Sequence, residues 1–385
     1  MLKKRHNKLL KNKINFDIGY FMKNYIIAEI GTSHEGDFNK AKELIDAAAM
    51  AGADCVKFQW VYANEILHPK TGFVDLPTGK IPLYERFLQL EVKKSFFIKC
   101  KNYAHSKNLD FGCSPFGLKS LKQLMSINPD MIKIASPELN HYPMLEKLCD
   151  LQKKRKNPVP VILSSGVSKL EDIEKAIKIF EKHNQKETVS LLHCVTSYPA
   201  PEEDYNLKVL GFLQNQFGVK VGVSDHSLNP IIVPLAGYFA GGRIIEKHIT
   251  LSNDTLGLDD PVALNPTNFK KMVDILRSFE GKNPQEILEY LEINFGKEKI
   301  KATLGSGEKK LAKAEEANYT RTNRSLHFMK DLKKGKKLRK KHIGILRTEK
   351  ILTPGISPEF YDEVLGKSLK VDVKDGEGLL WEHLV

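Results

Sequence analysis

The chain has 385 residues, 41% of them hydrophobic and 28% charged, with a formal net charge of +13. This length suits an α/β barrel of roughly 250 residues with an appendage, and no apolar run approaches the ~18 residues of a membrane span. The charge excess falls in two segments, +6 in residues 1–13 and +7 in residues 330–341; neither is interleaved with aromatics as a single-strand platform would be, so nucleic acid is not an expected partner.

In chain order, residues 1–24 are a basic extension with the pattern of a β-hairpin. No signal-peptide apolar core follows the first thirteen residues, and Cys55, Cys100, Cys113, Cys149 and Cys194 form no CxxC pair. A reduced cytoplasmic chain is therefore expected. Hydrophobic period then predicts strands at 25–30, 54–58, 109–113, 131–135, 159–163, 189–193, 219–223 and 243–245. Helices are predicted between them at 39–50, 94–106, 118–125, 143–151, 170–182, 207–217 and 230–240, with a last one at 268–278. Alternating β and α elements over residues 25–280 argue for a parallel sheet, and eight such units for a closed TIM (β/α)8 barrel. The alternative, an open doubly wound sheet, wants a glycine-rich loop after its first strand, and residues 30–36 lack the GxGxxG spacing. Residues 281–321 are polar and read as a linker. Residues 322–385 carry short strand-like pieces at 325–328, 343–346 and 370–373, which predict a small β-rich domain.

Chemistry in such a barrel sits at the C-terminal strand ends. Those ends carry Glu29; Lys57 and Gln59; Ser114; Lys133, Ser136 and Glu138; Ser164; His193, Thr196 and Tyr198; Ser224, Asp225 and His226; and Glu246, Lys247 and His248. Parallel strands joined by a helix bring their ends side by side, so His226 and His248 can converge as ligands for Mn, Fe, Co or Zn. A lone strand-end histidine would more often be a structural hydrogen-bonder. Lysines with small hydroxyls suit a phosphate and a carboxylate. Lys57 and Lys133, charged within apolar strands, need partners when buried, and an ion pair with Glu29 is the plainer reading of either.

These residues lie in stretches that resemble the sialic acid (N-acetylneuraminate) synthase family. They are IIAEIGTSHEGD at 26–37, AGADCVKFQ at 51–59, KIASPELN at 133–140, PVILSSGV at 160–167, LLHCVTSYPAPEEDYNL at 191–207, VGVSDHS at 221–227 and IIEKHITL at 244–251. RSLHFMKDLKKGKKL at 324–338 and GISPEFYDEVLGK at 355–367 resemble that family's antifreeze-like (SAF) domain. The resemblance implies a synthase that condenses phosphoenolpyruvate with an N-acetylated sugar such as N-acetylmannosamine and releases phosphate. It implies that His226 and His248 hold a divalent metal, Mn or Mg, that Glu29 acts as base or proton shuttle, and that Tyr198 lies at the reacting centre. Lys57, Gln59, Lys133, Ser136, Ser164, Thr196, Ser224 and Lys247 then bind substrate, largely on the phosphoenolpyruvate side. Glu138, Asp259 and Arg347 fall to the sugar. A homodimer in which the small domain reaches across to its partner is implied as well. Ser33 and Thr196 stand where the family usually has, or can have, asparagine, and a longer run, RTEKILT at 347–353, follows the arginine. Two other classes compete: a barrel enzyme using phosphoenolpyruvate with a phosphorylated sugar, or an aldolase; and a non-catalytic binding protein that keeps the barrel.

Overall fold

The computed structural model describes residues 23–76, 79–254 and 257–385; the expected N-terminal hairpin lies outside them. Eight strands close a parallel barrel: β1 (Tyr25–Gly31), β2 (Cys55–Trp60), β3 (Asp110–Pro115), β4 (Met131–Ile134), β5 (Val161–Ser164), β6 (Val189–Cys194), β7 (Lys220–Asp225) and β8 (Ile244–His248). Around them run α1 (Phe38–Ala51), α2 (Lys94–Ser106), α3 (Leu118–Met125), α4 (Tyr142–Gln152), α5 (Leu170–Lys182), α6 (Val209–Phe217), α7 (Ile232–Phe239) and α8 (Pro266–Ser278). Local chemistry sets the element ends. The Asp37 carboxylate accepts from the Asn39 amide at the start of α1, and Gly52 closes that helix at φ +87°.

Side chains alternate along each strand. Those of one parity point outward under the helices, among them Val56, Phe58 and Trp60. Those of the other parity fill the barrel with a plug of Ile27, Cys55, Met131, Ile162, Leu192 and Ile244. Gly112 makes room for this layer, since a Cβ there would stand 2.4 Å from Met131 Cε. One step further toward the C-terminal ends, the same parity brings Glu29, Lys57, Lys133 and Glu246 into the barrel. Register aligns them: Glu29 pairs with Lys57 on one side and His248 on the other, and Glu246 with Ser224.

Three segments differ from what the sequence suggests. The polar loop after β2 holds a two-stranded hairpin, Phe73–Leu76 with Gly79–Pro82, flanked by the short helices Ala63–Ile66 and Leu83–Gln89. The expected linker 281–321 carries two helices, α9 (Pro284–Phe295) and α10 (Lys297–Leu304), whose Ile287, Leu291, Ile300 and Leu304 join the main core. Their role explains α7, where seven successive residues, Ile232 to Tyr238, are buried. A helix apolar all round needs cover on its outer side as well. The third difference is at 370–373, which forms no strand and contributes a single bridge between Val373 and Leu332.

The C-terminal domain has one antiparallel pair, β9 (Arg324–Phe328) with β10 (Ile343–Arg347). Its small core includes Leu326, Phe328, Leu338, Val364 and Leu379. All five cysteines are buried and free of disulfides, and among the described residues no helix is long and apolar enough to cross a membrane.

Several histidines are buried in a neutral state. Burial pulls His34 and His327 from 6.5 down to about 4, and His141 and His193 to about 3. Below pH 6.5 the unfolded chain takes up protons that the native chain refuses. Stability is therefore expected to fall as pH drops from about 6.5 toward 4, by up to about 1.4 kcal/mol per pH unit for each such histidine. Thermal melts across that range at constant ionic strength check this; a flat melting temperature would contradict it.

Candidate active site

The barrel mouth is built on a buried layer of opposite charges. Lys57 Nζ lies 2.7 Å from Glu29 Oε2 and 4.0 Å from Glu246 Oε1, with these side chains at most 4% exposed. Lys133 pairs with Glu246 and donates to Ser224 Oγ at 3.2 Å, and Ser224 Oγ donates to Glu246 Oε1 at 2.9 Å. Burial alone would raise the Glu246 pKa, but Lys133 and Lys57 overcome it and hold the carboxyl down at about 2. Burial likewise works against the charge on Lys57, and Glu246 and Glu29 outweigh it. The ion-pair reading is thus present for Lys57 with Glu29, whereas Lys133 takes Glu246 instead. Glu246 stands among the strand ends in the sequence with no role suggested; only the barrel register reveals it as the partner of both lysines.

Above this layer sit the imidazoles, with ring centroids 5.5 Å apart. His226 Nδ1 donates to the Val195 carbonyl at 2.9 Å, which leaves Nε2 with its lone pair, and the Tyr198 hydroxyl stands 3.2 Å from that nitrogen. The Tyr198 ring stacks on His226 at 4.2 Å. Burial takes His248 down to about 3, so it is neutral, and its Nδ1 is buried without a hydrogen bond; the nearest carboxylate, Asp259 Oδ2, is 3.7 Å away. Burial would lower the His226 pKa, but the neighbouring Cys194 thiol outweighs it and raises it. Two imidazoles that each turn a ring nitrogen away from the backbone fit a divalent metal, which binds them in their neutral form. Among the described residues no group of three or more His, Cys, Asp or Glu gathers to hold an ion, so an ion held by this pair would keep open positions for water and substrate.

Around the pair, Gln59 Nε2 donates to Glu29 Oε1 at 3.0 Å and reaches Asp259 Oδ2 at 3.5 Å. Ser164 Oγ is buried with no partner, and Ser136 Oγ accepts from the Gly166 amide at 3.1 Å. Thr196 lies beside them, its backbone amide held by the Glu315 carboxylate. Ser33, the departure from the family pattern, donates to Asp260 Oδ1 at 2.5 Å. Lys247 is a correction. It falls on the outward parity, fully buried, with its Nζ 2.6 Å from Asp225 Oδ2 and bonded to the Ser227 carbonyl. It braces the β7 and β8 ends from behind and does not face the mouth.

The small domain covers this mouth through one carboxylate. Glu138, fully buried, accepts on Oε1 from Arg347 Nη2 at 2.7 Å and from Arg324 Nη2 at 2.9 Å. The two arginines are direct partners across the β9–β10 pair, a like-charge juxtaposition that needs an anion between them. Arg324 also donates to the carbonyls of Glu65 at 2.5 Å and Phe116 at 2.7 Å, and Asn140 grips its backbone. Burial, aided by Arg347, lowers its pKa to about 10. Arg347 is held on Glu138, and Arg324, which sequence reasoning passes over, shares that carboxylate and also reaches the loops after β2 and β3. Glu138 Oε2 is left buried without a partner. The resemblance implies that such contacts cross a swapped dimer; here they are made within one chain.

Residues 44–286 match the NeuB family and residues 323–385 the SAF domain. The chain belongs to the NeuB family. This NeuB-family chain is 33% identical to the N,N'-diacetyllegionaminic acid synthase of Campylobacter jejuni, over 92% of this chain and 98% of that one. The solved spore coat polysaccharide biosynthesis protein spsE of Bacillus subtilis superposes with a TM-score of 0.78 at 29% identity, covering 94% and 95% of the two chains. The N-acetylneuraminic acid synthetase of Leptospira borgpetersenii gives 0.61 at 31% identity, over 71% of this chain and 93% of that one.

Replacing Arg324 by Leu should unseat the domain, because Glu138 would keep one counter-charge and the carbonyls of Glu65 and Phe116 would lose their donor. A loss of about 3–5 kcal/mol is expected, read as an early melting transition and fast proteolysis between residues 305 and 322. A single unshifted melt would show that docking rests elsewhere.

Proposed function

We propose that this chain is a nonulosonic acid synthase that joins phosphoenolpyruvate to the open-chain form of an N-acetylated sugar and releases phosphate. The observation that carries the reading is the set of Lys57, Lys133, Ser136, Ser164 and Ser224 beside the two imidazoles His226 and His248. It offers an anion cradle next to a metal-binding pair. The named legionaminic, pseudaminic and neuraminate-type synthases among its relatives support the same reading.

In this reading the lysines and hydroxyls hold the phosphate and carboxylate of phosphoenolpyruvate and fix its methylene carbon toward the sugar aldehyde. Attack by that carbon forms the new C–C bond and leaves an oxocarbenium-like carbon at the enol position. Glu29, paired with Lys57 and braced by Gln59, takes a proton from the water that adds there. The resulting phosphohemiketal collapses to a keto acid, and the lysines stabilise the charge that leaves with the phosphate. Tyr198 and Gln59 line the reacting space. Asp259, Arg347 and the free oxygen of Glu138 receive the sugar's hydroxyl and N-acetyl groups. A divalent Mn or Mg held by His226 and His248 supplies Lewis-acid polarisation of the aldehyde and orients the carboxylate when bound.

The test is phosphate release from phosphoenolpyruvate with a panel of N-acetylated acceptors, followed by mass spectrometry of the acid. N-acetylmannosamine, its 6-phosphate and di-N-acetylated 6-deoxy sugars are the discriminating members. Release should stop on chelation and return with Mn or Mg. Lys133→Met should raise KM for phosphoenolpyruvate about ten-fold or more, near 1.4 kcal/mol, measured on the folded fraction. Glu246 then keeps only Lys57, at 4.0 Å, as counter-charge, so the melting temperature should fall as well. Release with no acceptor selectivity, or full activity after chelation, would overturn the reading.

The proposal extends to a homodimer that exchanges C-terminal domains, with the same arginine–Glu138 contacts made between two chains. Glu29→Gln and Arg347→Ala chains, each inactive alone, should regain activity when mixed under conditions where subunits exchange. A hybrid then holds one barrel that is intact and capped by an intact domain. Exchange without recovery would mean that each domain serves its own barrel.

A further inference from the structure

The segment 305–323 runs past the phosphate side of the mouth, and one of its carboxylates is buried there. Glu315 is 1% exposed. Its Oε1 accepts from two backbone amides on different strand-end loops, Val167 after β5 and Thr196 after β6, each at 2.7 Å. Its Oε2 accepts from Ala312 at 3.2 Å, which fixes the carboxylate to its own turn. Between the two loops lies Gly166. A Cβ there would stand 2.1 Å from Thr196 Oγ1, 2.8 Å from Ser136 Oγ and 3.1 Å from Glu315 Oε1. The ends of β4, β5 and β6 therefore meet at one point, with the Glu315 carboxylate at its edge.

The β5 loop would not rest in this shape unaided. Val167 sits at φ +41°, a region that a β-branched residue enters only at a cost and only when its surroundings over-determine it. Both of its backbone polar groups are held from this segment: the amide by Glu315, and the carbonyl by Asn323 Nδ2 at 2.9 Å. Lys309 Nζ takes the Ser165 carbonyl at 3.2 Å. Three side chains of one segment thus clamp the turn that presents Ser164.

We propose that Glu315 is a positioning residue for phosphoenolpyruvate: it holds the Ser164–Val167 turn and Thr196 so that Ser136, Ser164 and Thr196 converge on the anion. This rests on the reading of those residues as the phosphoenolpyruvate side of the site. The effect is geometric and not electrostatic, since the carboxylate's own charge opposes an incoming phosphate. A neutral amide of the same shape keeps both loop contacts made by Oε1 and gives up only the longer one from the Ala312 amide.

The full-length protein tests this by calorimetric titration with phosphoenolpyruvate, alongside KM for each substrate. Glu315→Ala should weaken phosphoenolpyruvate binding about ten-fold or more, with KM for the sugar unchanged within about two-fold. Glu315→Gln should bind within about three-fold of wild type, because its amide oxygen still accepts from both Val167 and Thr196. Glu315→Asp, one methylene short of spanning both amides, should resemble the Ala variant. Wild-type affinity in Glu315→Ala, or equal affinities in the Gln and Asp variants, would overturn the proposal; the second comparison decides it if the Ala variant does not fold. Equal weakening toward both substrates would make Glu315 merely structural and overturn it too. Failure of the wild-type protein itself to bind phosphoenolpyruvate would instead remove the underlying site reading.

Discussion

Two lysines and two glutamates confined in one buried layer set the terms for everything above them. Glu29, Lys57, Glu246 and Lys133 sit on an apolar plug and are each nearly inaccessible. Buried charges of this kind are expensive to assemble and are held only when mutually paired and hydrogen-bonded. The pairing holds the Lys57 pKa up and the Glu246 pKa down against the effect of burial. It does so in the one place where every strand of a parallel barrel delivers a side chain. An anion arriving from above meets cations already desolvated and oriented, so little reorganisation remains to be done on binding.

The second constraint comes from the cap. Glu138 belongs to the barrel, yet its carboxylate is the counter-charge for a pair of arginines that the small domain places side by side. The domain's own core is modest, and the like-charged pair would repel in a free domain. Docking therefore supplies the counter-charges that the buried Glu138 carboxylate needs.

Much of this was legible in the residues. The barrel follows from alternating period, and the positions of Glu29, Lys57, Lys133, His226 and His248 at strand ends follow from counting parity along each strand. What stayed hidden depended on register and on long-range contact. Lys247 neighbours two inward residues in sequence, and only the strand boundary shows that it points the other way. Glu246 is unremarkable in the string Ile-Ile-Glu-Lys-His until β4 and β2 bring two lysines to it. Arg324 and Glu315 lie in stretches whose polarity reads as surface, because no local pattern tells that a distant carboxylate or two loop amides await them. The segment 281–321 reads as a linker for the same reason: its apolar residues are sparse, and their partner is the helix α7 some fifty residues earlier.

That last pairing bears on how the chain is made. During synthesis α7 emerges well before α9 and α10, with an outer face as apolar as its inner one and nothing yet to lie on it. Until residues near 304 have left the ribosome, the nearly closed barrel carries a greasy stripe on its flank, the kind of surface that chaperones hold and that drives association between unfinished chains. A fragment cut where the β/α count ends, near residue 280, would keep that stripe permanently. The natural seam of this protein lies beyond α10, and a barrel severed at its apparent boundary would be a sticky object.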